Sequence, residues 1–198
     1  MTQPLLQSAL FEIPEATVPG LTYIADYIDA AAENALMQHI DALPWITDLK
    51  RRVQHYGYRY YYEAGNTTGT SLGPLPDWLI PYCIRLHESG AFREVPDQVI
   101  INEYLPGQGI APHIDRTRFA RTVASLSLGS PCVMDFTHSE TAEKTSRLLE
   151  PRSLLLISDD ARYLWKHGIA PRKADRYQGA VFPRGRRVSL TFRKMITA

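Results

Sequence analysis

His113 and Asp115 stand one residue apart at the end of the stretch YLPGQGIAPHID, residues 104–115. On an extended segment the side chains at positions i and i+2 reach the same side, so both residues could ligate one ion. A His-x-Asp pair is common by chance, and a metal site needs a third ligand. His167 is the candidate, because it directly follows an apolar and aromatic run in RYLWKHGIAP that indicates a buried strand or turn.

Two neutral imidazoles and one carboxylate form a facial triad. Such a triad leaves positions open on a six-coordinate metal and is typical of non-haem Fe(II) sites. The same three ligands are also compatible with zinc. Other features of the chain must therefore decide between the two metals.

The segment RVSLTFR, residues 187–193, predicts a strand with two different faces. One face is apolar and fits an ordinary core. If both faces are covered, the arginines on the other face need an anion, and guanidinium groups bind carboxylates in a bidentate fork. A small dicarboxylate is a natural occupant, whereas an edge strand with a solvated outer face is the structural alternative. The polar face consists of Arg187, Ser189, Thr191 and Arg193.

The segment QVIINEY, residues 98–104, repeats this pattern. Asn102 and Tyr104 point the same way and can offer an amide and a phenol hydroxyl to one ligand. A dicarboxylate pocket is what an Fe(II) oxygenase that uses 2-oxoglutarate needs, and a zinc hydrolase has no need of it. The arginine face therefore favours iron.

The elements that must position these residues can be read from periodicity. Amphipathic patterns predict helices over 29–43 and 77–90, the second with Pro81 in its first turn. Residues 21–28 read as a strand or edge ribbon, and 138–147 as a polar loop. From residue 98 the period changes to two, which predicts strands at 98–104, 122–129, 132–136, 153–158 and 186–193. The chain is thus predicted to be α+β and mainly β, with N-terminal helices packed on one sheet of a sandwich or barrel.

Composition is consistent with one domain of 198 residues that is 44% hydrophobic and contains only two cysteines. The cysteines match no metal spacing, the N-terminus does not read as a signal peptide, and no apolar run is long enough to span a bilayer. We therefore expect a soluble cytoplasmic protein without membrane contact, most simply a monomer. Residues 1–50 carry seven acids and one base, whereas residues 162–194 carry ten bases and one acid. Such a basic segment indicates either anionic partners or a solvated face.

Four motifs in order, NEYLPGQGIAPHID, SLSLG, RYLWKHGI and RRVSLTFR, resemble the AlkB family of Fe(II)/2-oxoglutarate dioxygenases. The match runs from about residue 98 to 194, and more loosely back to 51. The resemblance implies a double-stranded β-helix, or jelly roll, over 98–194, preceded by a nucleotide-recognition lid and helix over 51–97, all within a single domain over 1–198. It also implies Fe(II) held by His113, Asp115 and His167.

The resemblance further implies a 2-oxoglutarate site, with Arg187 on the distal carboxylate. Ser189 stands where bacterial repair enzymes of this family often have Asn. The co-substrate would be oxidised with O2 to succinate and CO2 while a substrate methyl group is hydroxylated. An N-linked hydroxymethyl group then collapses to the free amine and formaldehyde. The implied co-substrate ligands are Asn102, Tyr104, Arg187, Ser189 and Arg193.

The segment RRVQHYGYRYYY, residues 51–62, interleaves aromatic and basic residues, which suits stacking on a flipped or single-stranded base of DNA or RNA. A Tyr-rich hairpin packed on the core is the structural alternative. Thr117 stands where repair-type relatives often have an acid that helps to read the damaged base. The candidate substrate contacts are Arg51, Tyr56, Tyr58, Tyr60 and Thr117.

Three functions follow. The first is oxidative demethylation of N-alkylated bases in DNA or RNA, as in alkylation repair. The second is hydroxylation of a modified wobble uridine in tRNA, because HYGY, MDF and RYLWKHGI resemble the relatives that do this. The third is a protein-directed oxygenase or a non-catalytic RNA-binding module. The intact triad and arginine pair argue against the non-catalytic module.

Overall fold

Two antiparallel sheets face each other and enclose the centre of the molecule. The computed structural model describes residues 18–47, 50–59 and 70–196. The larger sheet has six strands in the order β1-β10-β7-β14-β5-β2, and the smaller has four in the order β6-β11-β8-β9. The pairs β12-β13 and β3-β4 form two further small ribbons. The strands of the six-stranded sheet are β1 (Leu21–Ile24), β2 (Val53–Tyr56), β5 (Gln98–Tyr104), β7 (Val123–Gly129), β10 (Leu154–Ile157) and β14 (Arg187–Arg193).

The four-stranded sheet consists of β6 (Ile110–His113), β8 (Cys132–His138), β9 (Lys144–Leu149) and β11 (Trp165–Ile169). The small ribbons are β3 (Tyr58–Arg59) with β4 (Thr70–Ser71), and β12 (Ala174–Tyr177) with β13 (Ala180–Pro183). The helices are α1 (Ala30–Asp41), α2 (Ile80–Glu88) and α3 (Asp159–Tyr163). In the described ranges no helix is long and apolar enough to cross a membrane.

The first two helices cover the outer face of the six-stranded sheet. The Asp29 side chain caps α1 by accepting a hydrogen bond from the Ala32 N–H at 2.8 Å, and Pro81 lies in the first turn of α2, as predicted. The apolar face of β14 packs in this layer together with residues of α1 and α2. The predicted mainly β fold with helices on one sheet is therefore confirmed.

A second apolar cluster fills the space between the sheets. Leu155 and Ile157 of the larger sheet meet Phe136, Trp165 and Ile169 of the smaller one. Because the apolar face of β14 is turned toward the helices, its polar face points between the sheets. This arrangement is the jelly roll that the sequence motifs implied.

The prediction of a loop over 138–147 is wrong in its second half. After a turn at 139–143 the chain forms β9, which pairs with β8 from Cys132 opposite Leu149 to Thr137 opposite Lys144. As the last strand of the smaller sheet, β9 has one unpaired edge and several solvent-accessible side chains. An edge strand tolerates polar residues, so polarity alone did not distinguish it from a loop.

The aromatic segment 51–62 is not one continuous strand. Gly57 has a φ of 75° and separates β2 from β3, so Tyr56 and Tyr58 do not share a strand face. A Cβ at this position would lie 1.9 Å from the Asp97 carbonyl oxygen, so the close approach requires glycine. Residues 60–62 lie outside the described residues.

One buried ion pair fastens a small ribbon to the sandwich. Asp175 of β12 is fully buried and accepts hydrogen bonds from the Val133 N–H at 3.0 Å and from Arg184 Nε at 2.6 Å. The Arg184 side chain is only 5% exposed. Asp175→Ala would leave this guanidinium buried without its carboxylate, which costs about 3–5 kcal/mol.

We expect Asp175→Ala to lower the midpoint of urea unfolding clearly. The control is Arg121→Ala, which removes the partner of Asp159 in an ion pair whose side chains are 49% and 55% exposed. Because exposed pairs contribute little, the control should unfold like the wild type. Equal midpoints for both variants would contradict the structural role of Asp175.

Candidate metal and dicarboxylate site

A narrow pocket of about 60 Å³ lies between the two sheets. The polar face of β14 forms one wall, and residues of β6 and β11 reach it from the opposite sheet. The pocket brings together every residue that was predicted to bind metal or dicarboxylate: His113, Asp115, His167, Asn102, Tyr104, Arg187, Ser189 and Arg193.

Strand register places the co-substrate candidates side by side. In the pairing of β14 with β5, Arg187 lies opposite Tyr104 and Ser189 lies opposite Asn102. On the other side of β14, Ser189 lies opposite Ser127. Directly opposed residues on neighbouring strands face the same way, so these groups form one continuous polar surface.

Arg187 is a buried cation with unused donors. It is 2% exposed, and its Nη2 donates to the Ser127 hydroxyl at 2.9 Å. Its Nε and Nη1 have no hydrogen-bond partner among the described residues. Its guanidinium carbon lies 5.4 Å from the centre of the Tyr104 ring. A buried guanidinium with two free donors is suited to an anionic ligand, because an unpaired buried charge is strongly unfavourable.

Arg193 is engaged with Asp115 across the pocket. Its Nη2 lies 2.6 Å from Asp115 Oδ1, and the two side chains are 12% and 4% exposed. Asp115 Oδ2 has no hydrogen-bond donor in the described part of the chain and lies 3.5 Å from His167 Nε2. Arg193 therefore fixes one oxygen of the Asp115 carboxylate, and the other oxygen faces the histidines.

The two histidines lie opposite each other on paired strands. His113 of β6 is the register partner of His167 of β11, and their ring centres are 4.5 Å apart. His113 Nδ1 is 2.9 Å from the Ala111 carbonyl oxygen, which fits a ring that carries its proton on Nδ1. That tautomer leaves the lone pair of Nε2 for a metal.

Electrostatics keep Asp115 and His167 in the protonation states that metal ligands need. Burial raises the pKa of the Asp115 carboxyl, but Arg193 and the two imidazoles lower it more, to about 2. Burial lowers the pKa of His167 to about 4. The carboxylate is therefore ionised and the His167 ring neutral near pH 7, as metal coordination requires.

The residues fit a metal and a dicarboxylate, although they do not form a closed coordination set in this structure. Among the described residues, no three His, Cys, Asp or Glu side chains make a ready metal cluster. Yet buried polar atoms without partners gather at this pocket, and a native interior holds few such atoms. These atoms are Asp115 Oδ2, His167 Nδ1, Arg187 Nε and Nη1, and Arg193 Nε.

Gly168 lets the two histidine strands approach each other. A Cβ at this position would lie 2.9 Å from both Cα and N of Pro112 and 3.0 Å from the Ile110 carbonyl oxygen. These are main-chain or ring atoms that cannot easily move aside. The glycine next to His167 is therefore needed for the spacing between His167 and His113.

A larger cleft of about 970 Å³ opens beside the narrow pocket. His113, Asp115 and Arg193 line both cavities, whereas Arg187 and His167 line only the narrow one. The walls of the cleft are largely apolar, with basic side chains among them. The residues that line the cleft include Ile100, Ile110, Ile114, Phe119, Ile169, Lys50, Arg51, Arg116, His55 and Asp135.

Only some of the predicted substrate contacts line the cleft. Arg51 lines both cavities and donates from Nε to Asn102 Oδ1 at 3.0 Å. The prediction for Tyr56 is wrong, because its ring packs edge-on against Trp78 in the helical layer and its hydroxyl donates to Gln54. Tyr60 lies outside the described residues.

Two further predicted contacts lie at the margin of the cleft or away from it. Tyr58 packs against Phe119 and Met195 and does not line the cleft itself. Thr117 is exposed and lines neither cavity, although its neighbour Arg116 does. Thr117 stands two residues after Asp115, and within a strand the two side chains would share a face. Because β6 ends at His113, this alternation does not extend to Thr117.

Sequence reasoning assigned no role to two polar residues of the cleft. Burial, together with nearby arginines, lowers the pKa of His55 to about 4, so its ring is neutral near pH 7. Asp135 is opposite Gly168 in the pairing of β8 with β11 and brings a carboxylate to the cleft. The sequence signal for Asp135 was its position as the one acid in the otherwise apolar run CVMDF, because a carboxylate within a buried strand needs a polar partner or a cavity.

Comparison with known proteins identifies the family. The family model described as 2OG-Fe(II) oxygenase superfamily matches residues 20–193. The chain belongs to this superfamily. It uses Fe(II), 2-oxoglutarate and O2, and it is a dioxygenase of the AlkB-like type, as the motifs indicated.

Two curated relatives and one solved structure illustrate the likeness. The chain is 38% identical to the tRNA (carboxymethyluridine(34)-5-O)-methyltransferase ALKBH8 of Mus musculus, over 91% of this chain and 31% of that protein. It is 31% identical to the Probable RNA/DNA demethylase ALKBH6 of Danio rerio, over 88% of this chain and 85% of that protein. The structure of OsALKBH1 superposes with a TM-score of 0.68 at 17% identity, over 89% of this chain and 98% of that one. This oxygenase thus spans less than a third of the mouse relative's length.

We expect Gly168→Ala to weaken Mn(II) binding by roughly 10–100-fold, because the added methyl group separates the strands that carry His113 and His167. Electron paramagnetic resonance of free Mn(II) measures this affinity in the metal-free protein. The control is Gly185→Ala, whose Cβ would make ordinary contacts with Ser130 from 3.4 Å. Unchanged affinity in Gly168→Ala would show that strand spacing does not limit the site.

Proposed function

We propose that this oxygenase oxidises an alkyl group on a nucleobase, with iron held by His113, Asp115 and His167. The observation that carries the assignment is Arg187, a buried cation with two unused donors in the narrow pocket next to these three side chains. A dicarboxylate that reaches Arg187 from the metal would satisfy the guanidinium. The position of Arg187 thus supports both the iron site and the co-substrate site.

In this proposal each polar residue of the narrow pocket has a task. Arg187 binds the distal carboxylate of 2-oxoglutarate, and Tyr104 and Asn102 add donors beside it. Ser189 lies between Asn102 and Ser127 in the sheet and contributes its hydroxyl. Arg193 holds Asp115 in place and keeps Nε free for the co-substrate.

The bound iron and 2-oxoglutarate supply the oxidising chemistry, with release of succinate and CO2. The protein orients the reactants and keeps water away from them. The neutral imidazole of His167 and the ionised carboxylate of Asp115 are in ligand form without proton loss. Ile110 and Ile169 line both cavities beside His113 and Asp115, so the co-substrate and the target group meet where apolar side chains flank the candidate metal ligands.

The cleft supports a nucleobase as substrate. The largely apolar wall of the cleft suits a base, and Lys50, Arg51 and Arg116 can contact phosphate. Oxidative demethylation of an N-alkylated base in DNA or RNA is the first candidate. The printed name of the Danio rerio relative, a probable RNA/DNA demethylase, agrees with it.

Hydroxylation of a modified wobble uridine in tRNA is the second candidate. It is favoured by the 38% identity to the mouse tRNA-modifying protein across nearly all of this chain. A carbon-linked hydroxyalkyl group is stable and would remain on the base.

A mass-spectrometric screen of methylated DNA, methylated RNA and tRNA with iron, 2-oxoglutarate and ascorbate tests the proposal. Release of formaldehyde would support demethylation, and retention of one added oxygen on wobble uridine would support the second candidate. Turnover on a protein with none on any nucleic acid would overturn the nucleobase assignment. His113→Ala should be inactive in every arm.

Arg187→Ala should raise the concentration of 2-oxoglutarate required for turnover by roughly 30-fold to 4,000-fold, because a desolvated charge pair contributes about 2–5 kcal/mol. Succinate formation at varied 2-oxoglutarate measures the effect. The control is Arg121→Ala, which removes an arginine that is half exposed and outside both cavities. An unchanged requirement in Arg187→Ala would place the distal carboxylate elsewhere.

A further inference from the structure

Arg162 is a fully buried cation that bonds main-chain carbonyl groups. It lies in α3 and is 1% exposed, the largest of the fully buried side chains. Its Nη1 donates to the carbonyl oxygen of Asp115, and its Nη2 to that of Arg116, each at 2.6 Å. Its Nε has no hydrogen-bond partner among the described residues.

This use of a buried guanidinium calls for an explanation. A buried charge is ordinarily paired with an opposite charge or bound to a ligand. In Arg162 both terminal nitrogens are instead engaged by two successive carbonyl groups. Hydrogen bonds from a charged donor are stronger than those between neutral groups, and the rigid fork fixes two acceptors relative to each other. A single ammonium group could not hold both carbonyls in this way.

The two carbonyl groups belong to the segment that joins the metal site to the cleft. Asp115 is the carboxylate of the narrow pocket, and Arg116 is the next residue and lines the cleft. Arg162 itself stands in the helix directly before β11, the strand that carries His167. One side chain thus connects the main chain at Asp115 to the element that positions His167.

Arg162 and Arg193 fix Asp115 in complementary ways. Arg193 holds the Oδ1 atom of the carboxylate, at 2.6 Å. Arg162 holds the carbonyl groups of the same residue and the next. Side chain and main chain are therefore fixed independently, and Oδ2 is left as the free ligand atom.

We propose that Arg162 is a positioning residue for the metal site, which sets the Asp115–Arg116 main chain so that Oδ2 faces the two histidines and Arg116 faces the cleft. This inference rests on the proposed assignment of His113, Asp115 and His167 as iron ligands. Arg162 touches neither cavity, so it acts through the segment that it holds.

The test compares Arg162→Lys and Arg162→Met with Arg121→Met. Arg121 also contacts α3, through Asp159, but on the exposed surface. Mn(II) affinity of the metal-free protein and the hyperfine pattern of bound Mn(II) are measured by electron paramagnetic resonance, and thermal unfolding is followed without metal. Second-sphere changes typically weaken metal binding by roughly 10–100-fold, and we expect this for Arg162→Met.

Arg162→Lys keeps the charge and the aliphatic stem but loses the fork. We therefore expect a smaller loss of Mn(II) affinity, with an altered hyperfine pattern and an unfolding temperature near that of the wild type. Arg121→Met should match the wild type in all three measurements. Wild-type affinity in both Arg162 variants, with only a lower unfolding temperature, would overturn the proposal, as would failure of both variants to fold.

His113→Ala separates this inference from the assignment on which it rests. Loss of Mn(II) binding in His113→Ala, with wild-type binding in the Arg162 variants, would overturn only the role of Arg162. Undiminished Mn(II) binding in His113→Ala would overturn the metal assignment itself.

Discussion

The buried ion pair between Arg193 and Asp115 is the contact on which the site depends. It joins the end of β14, in the larger sheet, to the segment that follows β6, in the smaller sheet. Water is largely excluded from both side chains, so the attraction between them is weakly screened. The pair therefore fixes the spacing between the sheets where His113 and His167 stand, and it leaves one carboxylate oxygen for a ligand.

The fold separates two kinds of surface by means of strand alternation. The apolar face of β14 closes the helical layer, while its polar face looks into the space between the sheets. Both faces are covered, so water cannot hydrate the charged and polar groups of the polar face. Arg187 consequently keeps unused donors in a buried position, which is unfavourable in the absence of an anion and favourable in its presence. The larger cleft then meets the narrow pocket at His113 and Asp115, where a substrate group can approach the metal.

The excess of basic residues near the C-terminus proves to be mainly an internal feature. Arg186, Arg193 and Lys194 pair with carboxylates from other parts of the chain, and Arg184 pairs with Asp175, the one acid of the same segment. Arg186, for example, joins β14 to Asp41 at the end of α1 and to Glu103 of β5. The cations that reach the cleft come mostly from other segments, including Lys50, Arg51 and Arg116. Net charge along a sequence thus gave a poor guide to the charged surface, because ion pairs form between residues that are distant in the chain.

The sequence by itself determined the two helices, the main strands and the sidedness of β5 and β14, because these depend on local periodicity. It also determined the metal and co-substrate candidates, which lie together in one pocket as expected. Tertiary structure alone decided what surrounds them. Tyr56 points toward the helices because its register partner on β5 is Val99, which packs in the helical layer. Thr117 lies outside the site because β6 ends at His113. Arg162 gave no sequence signal, since its partners are main-chain carbonyl groups that any residue would provide and that only the folded chain brings within reach.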